Sequence, residues 1–272
     1  MQIISQINAV FSDLDGTLLT TDKKITPDTQ DAIEQLNDQN IPFVLSSARP
    51  PAAIEPIVET YDLDCCMIAF SGGLILDEHR NILYQKGFPL SEAIQIKNYI
   101  ENYLSDVTWN IYTQNDWIVK DLTAPDIINE ATITKVDPID TLPETLAPDT
   151  TVFKIMCMCD PEKLDSVEKH LKKVFPKYSI AKSYYNLLEI MQTGVNKAEA
   201  IHHFCSVRNI PLDSTIAFGD NYNDLEMLHT VGHSVVMGNA PEEIRRQFLH
   251  VTDDNEHDGI ARALELLGLV SL

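Results

Sequence analysis

Ile7-Asn8-Ala9-Val10-Phe11-Ser12 runs directly into Asp13-Leu14-Asp15-Gly16-Thr17. The first six residues form an apolar run ending in a polar loop, the pattern of a strand buried on both faces of a parallel sheet. Residues two apart on an extended segment point the same way, so the Asp13 and Asp15 carboxylates are expected to face one site. That site lies at the C-terminal end of a strand, where open α/β sheets bind ligands. Two acids held together are costly unless a cation or a proton intervenes. Gly16 lets the chain turn tightly, and the Thr17 hydroxyl can brace the loop. An Asp-rich turn capping a helix would use the same residues, so this segment alone leaves both roles open.

Outward from that strand the chain alternates. Thr26-Pro27 opens a helix, with Thr26 as N-cap, Pro27 at the first helical position, and Ile33 and Leu36 on one face. Phe43–Ser46 reads as a second buried strand, residues 50–61 as a second helix, and residues 65–70 as a third strand stopped by Gly72-Gly73. The rhythm then changes to a helix over 90–104, strands over 108–112 and 117–120, and a Pro- and Asp-rich stretch over 125–149. A strand over 152–159, a helix over 162–175 and strands over 178–183 and 187–191 follow. Later come a helix over 196–208, a strand over 215–218, a helix over 225–229, a strand over 234–237 and helices over 242–246 and 259–267. The expected fold is α/β: a Rossmann-like parallel-sheet core, residues 1–84 and 190–272, with an inserted smaller α+β cap domain, residues 85–189. Inserts of this kind commonly act as lids.

Three further segments follow other strands or open helices. Gly219-Asp220-Asn221-Tyr222-Asn223-Asp224 brings more carboxylates to a strand end. Oxygen-only ligands suit magnesium, and Asp220 or Asn221 would equally serve as an N-cap. Ser46-Ser47-Ala48-Arg49-Pro50 offers a hydroxyl and backbone N–H groups at a helix start, a phosphate cradle or simply a cap. In Gly194-Val195-Asn196-Lys197 a lysine in the first helical turn opposes the helix dipole, which makes a placed functional lysine worth expecting. All four segments are expected to converge on one edge of a single sheet, and the joint arrangement is far more specific than any one of them.

Asp-x-Asp-Gly-Thr, hydroxyl-x-Arg-Pro, Asn-Lys and Gly-Asp-x-x-Asn-Asp together resemble the four motifs of the haloacid dehalogenase-like phosphatases. The insert between the second and third motifs is similar to that of their Cof-type branch. Met237-Gly238-Asn239-Ala240 and Asp258-Gly259 are supporting matches. The resemblance implies that Asp13 attacks phosphorus to give an aspartyl-phosphate, and that Asp15 acts as general acid and then base. It implies Mg2+ held by the Asp13 carboxylate, the Asp15 carbonyl and Asp220, with Asp224 close by. It places phosphate against Leu14, Ser47, Ala48, Lys197 and Asn223. Two departures stand out: Ser47-Ala48 where the family usually has Thr-Gly, and Ser71 where it usually has Asn.

Composition sets the remaining bounds. With 272 residues, 44% hydrophobic and 22% charged, the chain is an ordinary folded protein, and no apolar run reaches the roughly 20 residues of a membrane-spanning helix. Residues 1–11 lack a basic leader and a small-residue cleavage site, and are read as part of the first strand rather than as a signal peptide. The five cysteines fit no ligand spacing or disulfide framework and are expected as buried thiols in a cytoplasmic enzyme. A net charge of -21 disfavours nucleic acid and anionic membranes, and requires a local cation wherever an anionic substrate binds. His202-His203 on a helix share no face and make a poor metal pair; His257 and Asp258 suit a surface loop, and Trp109, Tyr112 and Trp117 suit strand packing. The expected reading is a phosphatase for small phosphorylated metabolites, with sugar phosphates leading, as a monomer or homodimer. A phosphomutase of the same superfamily and a non-catalytic magnesium- and phosphate-binding regulator are the alternatives.

Overall fold

The computed structural model describes residues 6–272, so the expectation for residues 1–5 lies outside the described residues. Strand β1 (Ala9–Asp13) is buried along its whole length, with parallel neighbours on both sides. Helix α1 (Pro27–Asp38) starts at Pro27, but the Thr26 hydroxyl donates to Thr29 Oγ1 at 2.9 Å instead of capping a backbone N–H. Strand β2 (Phe43–Ser46), helix α2 (Pro51–Thr60) and strand β3 (Cys66–Ala69) follow. Gly72-Gly73 does not end the sheet. The chain turns through Phe70 and Ser71, both at positive φ, and returns as β4 (Leu74–Leu76) and β5 (Ile82–Gln85), an antiparallel hairpin. Asp77 makes its turn: Oδ1 accepts from the N–H groups of His79 and Asn81 at 2.9 and 2.7 Å.

The middle of the chain builds a second unit. Its strands are β6 (Phe88–Pro89), β7 (Thr108–Tyr112), β8 (Trp117–Val119), β9 (Ile139–Asp140), β10 (Thr151–Val152), β11 (Lys154–Met158), β12 (Tyr178–Tyr184) and β13 (Leu187–Gln192). Helices α3 (Leu90–Tyr103), α4 (Pro125–Thr134) and α5 (Pro161–Val174) lie between them. The main sheet runs β12-β13-β11-β7-β8-β9, antiparallel except at β8–β9. Trp109, Ile111, Ile155, Cys157, Leu188 and Ile190 pack from one face of this sheet against Ile96, Ile100, Leu164 and Leu171 of α3 and α5. The Pro- and Asp-rich stretch is not all loop, because it holds α4. Pro125 sits at its first position, Asp126 in its first turn, and Lys135 at φ 56° ends it.

Helix α6 (Lys197–Arg208), strand β14 (Thr215–Gly219), helix α7 (Leu225–Thr230), strand β15 (His233–Val236) and helices α8 (Glu242–Arg245) and α9 (Gly259–Leu266) complete the chain. The core sheet runs β15-β14-β1-β2-β3-β4-β5, parallel from β15 to β3. Ala9, Phe11, Val44 and Ala217 meet Ala200, Ile201, Phe204 and Met227 on one face, with the Phe11 and Phe204 rings edge to face at 5.5 Å. The fold is therefore α/β with a Rossmann-like sheet, and β1 lies between β2 and β14 at the point where the strand order reverses. Among the described residues, one compact unit comprises residues 6–48, 55–85 and 196–272; the other comprises residues 49–54 and 86–195. Among the described residues no helix is long and apolar enough to cross a membrane.

Candidate active site

Parallel pairing of β1 with β14 aligns Ser12 with Phe218, so the residues that leave the two strand ends, Asp13 and Asp220, emerge side by side. Asp13, Asp220 and Asp224 each offer a carboxylate oxygen within 4.8 Å of the others. Lys197 enters the same cluster from the first turn of α6. Its ammonium donates to Asp13 Oδ1 and, at 2.7 Å, to Asp224 Oδ1. Asn196 fixes that turn by accepting the Glu199 N–H at 2.7 Å, an N-cap that places Lys197 at the first helical position.

Asp224 is engaged on both oxygens. Besides Lys197, it accepts the backbone N–H groups of Asp220 and Asn221 at Oδ2, each at 3.1 Å, which ties the loop after β14 into a capping box with Asn221 as N-cap. Gly219 has to be glycine for this, since a Cβ there would meet the Asp224 Cβ at 2.6 Å. Thr17 does more than brace its own loop: its hydroxyl donates to Asp220 Oδ1 at 2.9 Å, joining the loops after β1 and β14.

The electrostatics follow from burial. Desolvation pushes the Asp13 carboxyl up to about 7, with Lys197 opposing and Asp224 adding to the rise. Desolvation likewise pushes Asp220 up to about 6, with the Thr17 hydroxyl opposing and Asp224 reinforcing. Burial alone would lower the Lys197 ammonium, but Asp13 and Asp224 outweigh it and the net shift is upward.

The other expected residues are placed less uniformly. Leu14 is buried in the turn after β1, and Ser47 is buried just past β2, donating its N–H to Ile68 O at 2.8 Å. Ala48 is half-buried and Asn223 is exposed. The Asp15 side chain does not join the acidic cluster. It pairs with Lys23 at 2.7 Å, because β1 ends at Asp13 and the two-residue alternation does not carry into a turn that passes through Gly16 at φ 86°.

Away from the cluster, the His203 ring stacks on Tyr84 at 3.8 Å and His257 pairs with Asp254 at 2.6 Å, so neither histidine belongs to it. In the second unit Trp117 stacks on Tyr112 at 5.7 Å and donates to Asn110 Oδ1, while Trp109 packs in the core. All five cysteines are buried free thiols, and burial pushes Cys65, Cys66 and Cys157 up to about 12. The residue that sequence reading gave no role is Asn239, whose amide reaches Gly16 O at 2.8 Å. Its signal was the Gly238-Asn239 pair directly after a strand.

Fold and site together define an α/β protein with an acidic centre at the strand ends of a parallel sheet, the place where such folds bind ligands. The chain belongs to the haloacid dehalogenase-like hydrolases, whose family model matches residues 10–264. It is a phosphatase of that family. A Haemophilus influenzae protein named "Putative phosphatase" is 37% identical over 260 residues, covering 94% of this chain and 97% of its own. A Bacillus subtilis 5-amino-6-(5-phospho-D-ribitylamino)uracil phosphatase is 27% identical over 267 residues, covering 93% and 94%. The crystal structure of a haloacid dehalogenase-like hydrolase from Bacteroides thetaiotaomicron shares the fold with a TM-score of 0.87 at 24% identity, covering 96% and 100%.

Proposed function

We propose that the enzyme hydrolyses small phosphomonoesters, sugar phosphates foremost, through an aspartyl-phosphate on Asp13 with magnesium as the cation. The observation that supports this most is the buried Asp13–Lys197–Asp224 ion cluster at the strand ends, with Asp220 beside it. The donor set fits a hard divalent cation. It is all oxygen, its carboxylates crowd within 4.8 Å, and burial has raised two of them in a way that a bound cation would reverse. The Asp13 and Asp220 carboxylates and the Asp15 carbonyl are the proposed ligands. Asp224 belongs to the same acidic group and also holds Lys197 and the loop after β14. Magnesium would supply charge neutralisation on the phosphoryl oxygens and lower the repulsion between substrate and acids.

In the proposed reaction an Asp13 carboxylate oxygen forms a bond to phosphorus as the bond from phosphorus to the leaving oxygen breaks. Asp15 gives that oxygen a proton, then takes one from the water that cleaves the aspartyl-phosphate. The Asp15–Lys23 pair opens for this, at small cost, since both side chains are substantially exposed. Lys197, the Leu14 N–H, Ser47, Ala48 and Asn223 hold the phosphoryl oxygens. A phosphorylated polyol or sugar suits this reading, since the Bacillus subtilis relative is named for a phosphoribityl compound. A panel of sugar phosphates, pyridoxal phosphate, flavin mononucleotide and nucleotides with Mg2+ tests it. Free phosphate with at least one sugar phosphate is expected, and calcium should inhibit because its larger, looser coordination misplaces the attacking oxygen. Isomerised sugar phosphate with little free phosphate, or no turnover of any panel member, would overturn it.

A further inference from the structure

Three loops meet at one amide. Asn239 lies in the turn after β15, where Met237 N–H donates to Gly219 O at 3.0 Å and Gly238 N–H to Asp253 O at 3.1 Å. Its Nδ2 donates to Gly16 O at 2.8 Å and approaches Asp220 Oδ2 at 3.5 Å, while its Oδ1 accepts the Asn255 N–H at 3.3 Å. Both amide hydrogens and the carbonyl oxygen are therefore directed at partners from separate loops. The loop that supplies Asn255 reaches the first loop as well: Asn255 Nδ2 donates to Leu19 O at 2.8 Å, and Thr21 N–H donates to Glu256 Oε1 at 2.6 Å.

Asp220 is consequently gripped at both ends. Thr17 takes Oδ1 at 2.9 Å and Asn239 approaches Oδ2, so rotating the carboxylate weakens one contact or the other. Gly16 lies directly on the same oxygen, since a Cβ at its φ of 86° would stand 2.6 Å from Asp220 Oδ2. We infer that Asn239 is a positioning residue, which sets the plane of the Asp220 carboxylate and seats the Asp15–Gly16 backbone against it. This rests on the reading above that Asp220 holds the cation. Orientation by hydrogen bonds behind a carboxylate ligand is a strong lever on metal affinity, and Asn255 and Glu256 hold the far end of the same loop.

The test titrates Mn2+ alone, without substrate, into the full-length wild type, Asn239→Ala, Asn255→Ala and Asp220→Asn, each with a thermal melt. Asn239→Ser replaces Asn239→Ala if the latter unfolds. Asn239→Ala is expected to weaken Mn2+ binding about tenfold. At saturating metal its KM for p-nitrophenyl phosphate should stay within about twofold of wild type. Asn255→Ala removes only the side-chain contact to Leu19 and keeps the backbone N–H that Asn239 accepts, so it should leave Mn2+ affinity in place. Unchanged Mn2+ affinity in Asn239→Ala, beside lost binding in Asp220→Asn, overturns the inference and leaves the functional reading standing. Unchanged affinity in both variants overturns the two together. Equal loss in Asn239→Ala and Asn255→Ala marks general loosening of the loops and also overturns the inference.

Discussion

Burial is the largest single influence on the Asp13 carboxyl, and Lys197 is the group that counters it most. In the proposed reaction a lysine there would serve better than solvent, because its two short contacts are fixed before any substrate arrives. Other residues carry a local cost. Ser71 sits at φ 53°, the left-handed region that asparagine tolerates better than serine, because its side chain can bond its own backbone. Ser71→Asn is therefore expected to stabilise the chain by up to about 1 kcal/mol, read as a rise in melting temperature. An unchanged or lower melting temperature would show that Ser71 gains as much from its surroundings as it loses in its backbone. Asp15 shows the limit of pattern reading at this scale. Alternation places side chains along a strand, but two residues past Asp13 the chain is already turning, and the Lys23 pair takes the Asp15 side chain elsewhere.

At the scale of elements, α6 carries the burden. It presents Lys197 from its first turn and Ala200, Ile201 and Phe204 to the sheet from its inner face. Its start depends on Asn196, and Asn196→Ala is expected to cost about 1 kcal/mol of stability. It should also lower kcat by letting Lys197 drift from Asp13, and wild-type kcat in this variant would contradict that coupling. The buried parallel strands were legible from the sequence because burial on both faces leaves a continuous apolar run, as in Thr215–Gly219. The β4–β5 hairpin was not, because its strands are short and paired glycines precede them. Helix α4 hid behind Ile and Thr residues of modest helix propensity and a proline that marks a start as readily as a break. Asn239 was visible as a motif, but its bonds to Gly16 and Asn255 join residues far apart in the chain, and no local pattern encodes them.

For the whole molecule, a net charge of -21 and an acidic centre raise the same question of how an anion is received. Metal-free protein should register the answer in its stability. Asp13 rises from 3.8 to about 7 on folding and Asp220 from 3.8 to about 6, so between those values the folded chain binds more protons than the unfolded one. Stability then falls as pH rises through that window and levels off above about 7. Melts of metal-free protein should show this slope between about pH 5 and 7, and saturating Mg2+ should remove it by stabilising the ionised acids. Asp13→Asn should flatten the metal-free slope. A slope of opposite sign, or one indifferent to both magnesium and Asp13→Asn, would contradict this account of the site.

In the proposed reaction Asp13 takes the phosphoryl group. Enzyme turning over a sugar phosphate it hydrolyses can be quenched in acid within a single turnover, digested and mapped by mass spectrometry. The predicted result is a phosphoryl group on the peptide containing Asp13, absent from the inactive Asp13→Asn variant. Turnover with the phosphoryl group on another residue, or continued turnover by Asp13→Asn, would contradict it.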